Sequence, residues 1–402
     1  PHRTTVQSLA PIRRKELSNI TETFTESVSR EMTRVSDACD GINMSQGFPD
    51  FESPVAIREA AIAAINNHHN QYPVTFGEPE LRDAIARKAF SYNKIKCNHD
   101  TDITVTCGAT EAMIATLKAI INPGDEIIIF EPFYENYGPD GILSGANLRY
   151  VTLHLPDWHF DSDELKAAFN NNTKAIIINT PNNPTGKVFT EIELAEIAEL
   201  CTKWDVYAIT DEIYEHILYD GSEHVSMASI PGMAERTITI NSISKTYSVT
   251  GWRVGWAIAS SIITSRIRKV HDFLTVGAPT PFQHAAVSAL SFPNSYYQKL
   301  QKKYLISRDY MLETLDSAGF KPIIPKGSYY IMSDIEKHYN VFKAENDFDF
   351  CRKLIEKTRV ATVPGFSFYS RQNIITKQVR FAFCKKFETL ELVRSLLLKN
   401  LK

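Results

Sequence analysis

The sequence predicts an α/β protein. A large domain with a mostly parallel, doubly wound seven-stranded sheet is expected beside a smaller α+β domain. Three observations predict it. From about residue 55 to 260, short β-branched apolar runs alternate with helix-like segments, the pattern of a sheet covered by helices on both faces. The runs are nearly continuous in apolar residues, as strands buried on both sides are. Beyond about residue 290 a long helical pattern leads into strands of a different section, so 402 residues are read as two lobes rather than one core.

Along the chain, Thr21–Ala38 mixes polar and apolar residues at helical spacing and opens on capping residues, so a helix is expected there. The loop GINMSQGFPDFESP follows, punctuated by Gly47, Pro49 and Pro54. VAIREAAIAAINN and EPELRDAIARKAFSYN carry helical periodicity. DITVTC, DEIIIFEP, TKAIIINTP, DVYAITDEI and RTITINSIS read as the buried strands. Ser295–Ser317 reads as a long helix, and GSYYIMSD, VATVPGFSF and QVRFAFCKK as strands of the smaller lobe. The N-terminal helix lacks a core of its own and is expected to join that lobe. Residues 46–292 then form the large domain, and 1–45 with 293–402 the small one.

Composition narrows the function classes. A net charge of −3 gives no global attraction to nucleic acid or anionic lipid. No apolar run approaches the roughly 20 residues of a membrane span. The start, PHRTTVQSLAPIRRKELSN, has basic residues but no apolar core of a secretory signal, and Pro1 is expected to reflect trimming. Cys39, Cys97, Cys107, Cys201, Cys351 and Cys384 stand singly, the usage of a reducing, cytoplasmic compartment, and are expected as buried small apolar side chains. His68 and His69 are adjacent and so point apart on a helix, wrong for a metal site; no metal is expected.

In a doubly wound sheet, ligands gather at the C-terminal strand ends, so the residues there carry the functional reading. After DITVT comes CGATEAMIATLKAI, a glycine turn and a helix whose free amides at Ala109 and Thr110 can hold a phosphate; an ordinary strand-to-helix turn satisfies it equally. After AIIIN comes TPNNPTGKVF, a loop stiffened by prolines that exposes asparagines. Asp211 and Glu212 end a strongly apolar strand, where a carboxylate needs a cation or a helix to cap. Lys245 follows TITINSIS, with Ser242, Ser244 and Arg253 around it. An amine becomes nucleophilic in a dry site or beside another cation, and Arg253 offers a fork for phosphate oxygens. A phosphate cradle, an acid for a ring nitrogen, a phenol at Tyr214 and an imine-forming lysine are together what pyridoxal phosphate requires.

These residues resemble the fold-type I class I/II aminotransferases. The resemblance is carried by SISKTYSVTGWRVG, NNPTG and DEIY, in the family's order, and runs from SQGFPDF to QVRFAF. SQGFPDF, NQYPVTFG and EPFYENY are most similar to the branch of kynurenine aminotransferases, glutamine transaminase K and methionine aminotransferases. The resemblance implies that pyridoxal 5′-phosphate is the cofactor and that Lys245 binds its aldehyde. It implies Asp211 at the ring nitrogen, Asn183 and Tyr214 at the ring hydroxyl, and Tyr134 stacked on the ring. Ala109, Thr110, Ser242 and Arg253 are implied as phosphate ligands, joined by Tyr72 from the partner of a homodimer with shared sites. Arg380 is implied to grip the substrate's α-carboxylate, and Gly47 to belong to the loop closing over it.

The expected activity is ping-pong transfer of an amino group from an L-amino acid to a 2-oxo acid. Thr110 stands where one dicarboxylate-specific branch has a lysine, so neutral or aromatic side chains are favoured. Val276 and Gly277 stand where the kynurenine branch has an aromatic–histidine pair, which counts against kynurenine itself. A C–S β-lyase or an aminocyclopropane-carboxylate-synthase-like lyase is the alternative, because the carbanion chemistry is shared; an aspartate-type aminotransferase is more remote. The residues ahead of the fold are too few and insufficiently basic for a fused DNA-binding domain.

Overall fold

The computed structural model describes residues 15–371 and 374–401; the first fourteen residues, including Pro1, lie outside this range. Eight strands form the main sheet: β1 (Ile103–Thr106), β2 (Glu126–Glu131), β3 (Asn147–His154), β4 (His159–Phe160), β5 (Thr173–Asn179), β6 (Tyr207–Asp211), β7 (Thr237–Ser242) and β8 (Gly255–Ile258). Their order is β1-β8-β7-β6-β5-β2-β3-β4. Pairings β3–β2–β5–β6–β7 are parallel, and β8 runs antiparallel to both β7 and β1. The eighth member beyond the expected seven is β4, a two-residue strand on the outer edge.

The continuous apolar runs bury both faces, residue by residue. Ile127, Ile129, Ile177 and Ile209 pack with Met113 and Leu117 of α2 (Gly108–Ile120) and with Ile263 and Ile267 on one side. Ile128, Phe130, Ile176 and Ile178 pack with Leu194 and Ile197 on the other. Period-2 alternation sends neighbours to opposite layers, so each strand needs apolar side chains at every position.

Strands β1, β2, β5, β6 and β7 run in one direction. Thr106, Glu131, Asn179, Asp211 and Ser242 therefore end along a single rim. Beside it lies a four-stranded antiparallel sheet of β9 (Lys321–Pro322), β10 (Tyr330–Asp334), β11 (Val363–Pro364) and β12 (Gln378–Ala382), in the order β9-β10-β12-β11. Its core holds Tyr304 and Met311 of the long helix Asn294–Ser317, with Phe350, Phe381 and Leu390. Met32 of α1 (Val28–Ala38) and Met44 are buried in the same cluster.

Several local expectations are corrected. The N-terminal helix begins at Val28, after a separate 3-10 turn at Asn19–Glu22. The reason is where the hydroxyls go: Thr21 and Thr23 donate to the carbonyls of Ser18 and Ile20, and Ser27 donates to Glu135 instead of capping the helix. VATVPGFSF yields only Val360–Ala361 and Val363–Pro364, then a 3-10 turn. EPELRDAIARKAFSYN is α-helical through Lys88 and closes on a π-helical turn, Ala89–Asn93. Of the six cysteines, Cys201, Cys351 and Cys384 are buried, while Cys39, Cys97 and Cys107 are only partly covered.

Candidate active site

The rim opens into a cavity of about 430 Å³. Gly47, Ala109, Thr110, Tyr134, Asn183, Asp211, Tyr214, Ser242, Lys245, Arg253 and Arg380 all line it, although they span more than 330 positions of the sequence. Tyr72 does not; it stands 85% exposed outside the cavity.

Lys245 follows β7 in a tight turn held by Ser244 donating its amide to the Ser242 hydroxyl at 3.1 Å and by Val249 donating to the Ser244 carbonyl. The turn aims the amine across the cavity, where Nζ donates to the Gly47 carbonyl at 3.2 Å. Burial pushes the ammonium down to about 8; Arg253 and Arg380 push the same way, against Cys384 and Asp211. An amine poised there is neutral often enough to be a nucleophile near physiological pH.

Asp211 ends β6 and points into the same space. No helix follows it for its carboxylate to cap: the next residues form turns. Its Oδ2 accepts from the Tyr137 hydroxyl at 2.7 Å, and Oδ1 has only a 3.4 Å contact from the Ile213 amide. Burial raises its carboxyl to about 6, with the Tyr137 bond pulling against that rise. One oxygen therefore remains open to a cationic N–H.

Asn183 is set by Asn179, whose Oδ1 takes the Asn183 amide at 2.7 Å and whose Nδ2 donates to the Asp211 carbonyl at 2.9 Å. The Asn183 side-chain oxygen accepts from Arg380 Nη1 at 2.7 Å. Arg380 Nη2 donates to the Ser45 carbonyl at 2.6 Å and the Ser29 hydroxyl at 3.2 Å. Its guanidinium lies 4.2 Å over the Tyr330 ring, and Nε has no partner. A buried arginine bonded only to neutral groups carries an unbalanced charge, which calls for an anion. Tyr214 is buried, with its hydroxyl 3.0 Å from that of Tyr330.

The opposite end of the cavity is built for close approach. Gly108, at φ +77°, turns the chain from β1 into α2; a Cβ there would lie 2.3 Å from Arg253 Nη2. A Cβ on Gly255 would lie 2.5 Å from the Ala109 amide nitrogen. Two glycines thus let a guanidinium and the first turn of a 13-residue helix converge, an arrangement suited to a phosphate. Gly47 is needed for a different reason: a Cβ would sit 1.9 Å from the Tyr330 hydroxyl.

Behind Asp211, Glu212 points the other way, into a buried network with Asn93, His224 and Ser226, while Glu215 binds Lys88. Glu212, Glu215 and His224 approach within 4.8 Å of one another, but the Lys88 ammonium already supplies the cation. The His69 ring of the adjacent histidine pair lies tilted at 37° against that of His284, 3.9 Å between ring centroids.

Sequence reasoning missed Tyr137, Asn179, Tyr330 and the start of α1. Asn179 was accessible by the strand-end rule, and Tyr137 follows Tyr134 by three residues in EPFYENY. Nothing local marks Tyr330, Ser29 or Arg30.

The fold and these side chains define an enzyme that arranges anion-binding groups at two ends of a cavity around a reactive amine. The chain belongs to the aminotransferase class I and II family, whose model matches residues 40–396. It is 36% identical to the kynurenine–oxoglutarate transaminase of Dictyostelium discoideum, over 95% of this chain and 96% of that protein. It is also 36% identical to human kynurenine–oxoglutarate transaminase 3, over 90% of this chain and 85% of that one. Among solved structures, N-succinyldiaminopimelate aminotransferase from Mycobacterium tuberculosis superposes with a TM-score of 0.90 at 34% identity, covering 96% of this chain and all (100%) of that one. Escherichia coli YbdL, identified with a methionine aminotransferase function, gives 0.90 at 32% identity, with coverage of 96% and 100%. The protein is accordingly an amino-acid aminotransferase, a transferase whose substrates are amino acids and 2-oxo acids. No described helix is long and apolar enough to cross a membrane.

Proposed function

We propose that the chain uses pyridoxal 5′-phosphate to move an amino group from an L-amino acid with a neutral or aromatic side chain to a 2-oxo acid, by a ping-pong route. The observation that carries this reading is the convergence, in one cavity, of a depressed lysine, an open buried carboxylate and two arginines at opposite ends. The residues suit the cofactor chemically. The Gly108–Arg253 cradle and the α2 amides of Ala109 and Thr110, with Ser242, fit its phosphate. The open oxygen of Asp211 fits its ring nitrogen, Asn183 and Tyr214 its ring hydroxyl, and Tyr134 its ring face.

When bound, the cofactor supplies an aldehyde for the amino group and a pyridinium ring that accepts electrons from Cα. Everything else belongs to the chain. Arg380 grips the α-carboxylate bidentately and so fixes the Cα–H bond in space. Lys245 would bind the aldehyde at rest; once released, its neutral amine can take the Cα proton and return it to the former aldehyde carbon on the far side of the nitrogen. Asp211 holds the ring nitrogen protonated. Gly47, which already accepts from Lys245 and from the Tyr329 hydroxyl at 2.7 Å, lies on the loop that closes the site against water.

A neutral or aromatic donor is favoured by Thr110 and by the cavity walls of Phe48, Met113, Tyr134, Ile213 and Tyr330. A homodimer in which the partner's cavity receives Tyr72 is supported by that tyrosine's exposure. Its loop lies against the Val276–Thr280 segment: Thr280 donates to the Gln71 carbonyl at 2.7 Å, and Tyr72, Val74 and Val276 are left exposed. We assign the enzyme to the cytoplasm on its unpaired cysteines, and read residues 46–292 as the large domain and the described segments flanking it as the small one.

The test is a half-reaction. An amino acid added without acceptor should shift the protein's visible absorbance and release one oxo acid per site, then stop until a second oxo acid is supplied. Continuous release of pyruvate and ammonia from a cysteine conjugate without acceptor would instead identify a β-lyase. The cradle gives a separate prediction. Gly108→Ala forces a strained φ and a clash with Arg253, a cost of roughly 1–3 kcal/mol. Cofactor affinity of the apoprotein, measured by fluorescence titration, should fall about tenfold or more.

A further inference from the structure

Beside the phosphate end of the cavity lies a buried pair that no step of the amino transfer uses. Glu111 sits in the first turn of α2 and is buried, yet it does not line the cavity. Its Oε2 accepts from the amide of Cys107, the residue before Gly108, and its Oε1 accepts from the Thr275 hydroxyl at 2.8 Å. Oε1 also lies 2.6 Å from Nδ1 of His271, a fully buried residue of the helix Ser261–Thr275. The other ring nitrogen, Nε2, lies 2.7 Å from the Thr75 carbonyl.

A carbonyl can only accept, so Nε2 carries a proton. Nδ1 faces a carboxylate that already accepts from an amide and a hydroxyl, so it carries one too. His271 is then an imidazolium. Burial pushes it down, but the Glu111 hydrogen bond and charge, the Thr75 carbonyl and Asp272 together raise it above its ordinary 6.5. The remaining groups nearby leave the pair to itself. Arg268, one turn earlier, donates to the carbonyls of Asp100 and Ile103, and burial with Glu111 pushes the Cys107 thiol up and keeps it neutral. Arg253 meets the Gly108 turn.

The pair stands where its charge matters. Under the reading above, on which this inference rests, Arg253 and the α2 amides receive a phosphate. A bare carboxylate in the same first turn would repel that anion. An imidazolium cancels it and leaves Arg253 and the helix dipole unopposed. Thr75 also lies three residues beyond Tyr72, so the ring ties that loop to the start of α2. We propose that His271 is a positioning residue for the cofactor's phosphate. It neutralises Glu111 and fixes the first turn of α2 against the loop that carries Tyr72.

The test isolates the phosphate and needs no turnover. Pyridoxamine 5′-phosphate and pyridoxamine differ only in that group, and neither carries an aldehyde for Lys245. Their affinity ratio for the apoprotein, read by fluorescence titration, measures what the phosphate adds. His271→Gln keeps a donor but not the charge, and should lower this ratio about tenfold at pH 7. Adding Glu111→Gln to the same chain should bring it back to within threefold of wild type, because the exposed charge is gone; a purely structural loss would deepen instead. The wild-type ratio should fall from pH 7 to 9, where the phosphate is already a dianion, as the imidazolium loses its proton. The double variant should stay flat. A single-variant ratio within threefold of wild type, a double variant no better than the single, or a flat wild-type profile would overturn the proposal. Should the cofactor reading itself fail, neither pyridoxamine compound would bind, and inorganic phosphate becomes the probe. Its affinity should be lowest in His271→Gln and recover in the double variant; loss of that order would overturn the proposal independently.

Discussion

Lys245→Ala should lower kcat for amino transfer by about 10⁴-fold or more, since the side chain is both the anchor for the aldehyde and the base that moves the Cα proton. The fold should survive. The Lys245 side chain makes a single hydrogen bond, to the Gly47 carbonyl, and its ammonium is disfavoured where it sits, so truncation removes a cost as well as a contact. Melting temperatures of the two apoproteins at pH 7 should agree within a few degrees. A small primary amine in the buffer should restore part of the rate, and more so as pH rises, because only the neutral amine accepts a proton. In the wild-type apoprotein, capture of the aldehyde should accelerate as pH rises through about 8, the value to which burial lowers Lys245. Transamination by the variant within tenfold of wild type would refute the assigned role.

Asp211→Asn should separate activity from stability. The carboxylate partner of the ring nitrogen is lost while the shape is kept, so kcat should fall about 10²–10³-fold, the scale of one preorganised electrostatic group. The apoprotein should respond in the opposite sense. Burial lifts the Asp211 carboxyl from 3.8 to about 6. Between those values the folded chain holds more protons than the unfolded one, so stability declines as pH rises through that window. At neutral pH the folded state carries this penalty of roughly 2–3 kcal/mol; asparagine does not. The variant apoprotein should therefore melt above wild type at pH 7, and the gap should close towards pH 4. Adding cofactor should reverse the order, because only the aspartate gains a cationic partner. A variant of near-normal activity, or one less stable than wild type at neutral pH, would contradict the assignment.

Both predictions concern residues that the sequence made legible. Lys245 and Asp211 end apolar runs, and a charge placed there is conspicuous because burial without a partner is costly. The main sheet was legible for a related reason: Ile127–Phe130 and Ala175–Ile178 are apolar at every position because they feed the two faces in alternation. Strand β3 escaped because its pattern of exposed and buried residues, Asn147–His154, carries no continuous apolar signal. The helix start at Val28 was misplaced because a distant side chain, Glu135, claims the Ser27 hydroxyl that local rules assign to a cap.

The sequence by itself determined the doubly wound α/β core, the strand-end residues and the family, since each is written in local periodicity or contiguous motifs. The tertiary structure decided which residues meet. Tyr137 comes to bear on Asp211, Asn183 on Arg380, and Arg30 on a cavity whose other cations lie more than 200 positions away. Such contacts arise from chain segments folded back across the rim, and no local spacing encodes the distance between them.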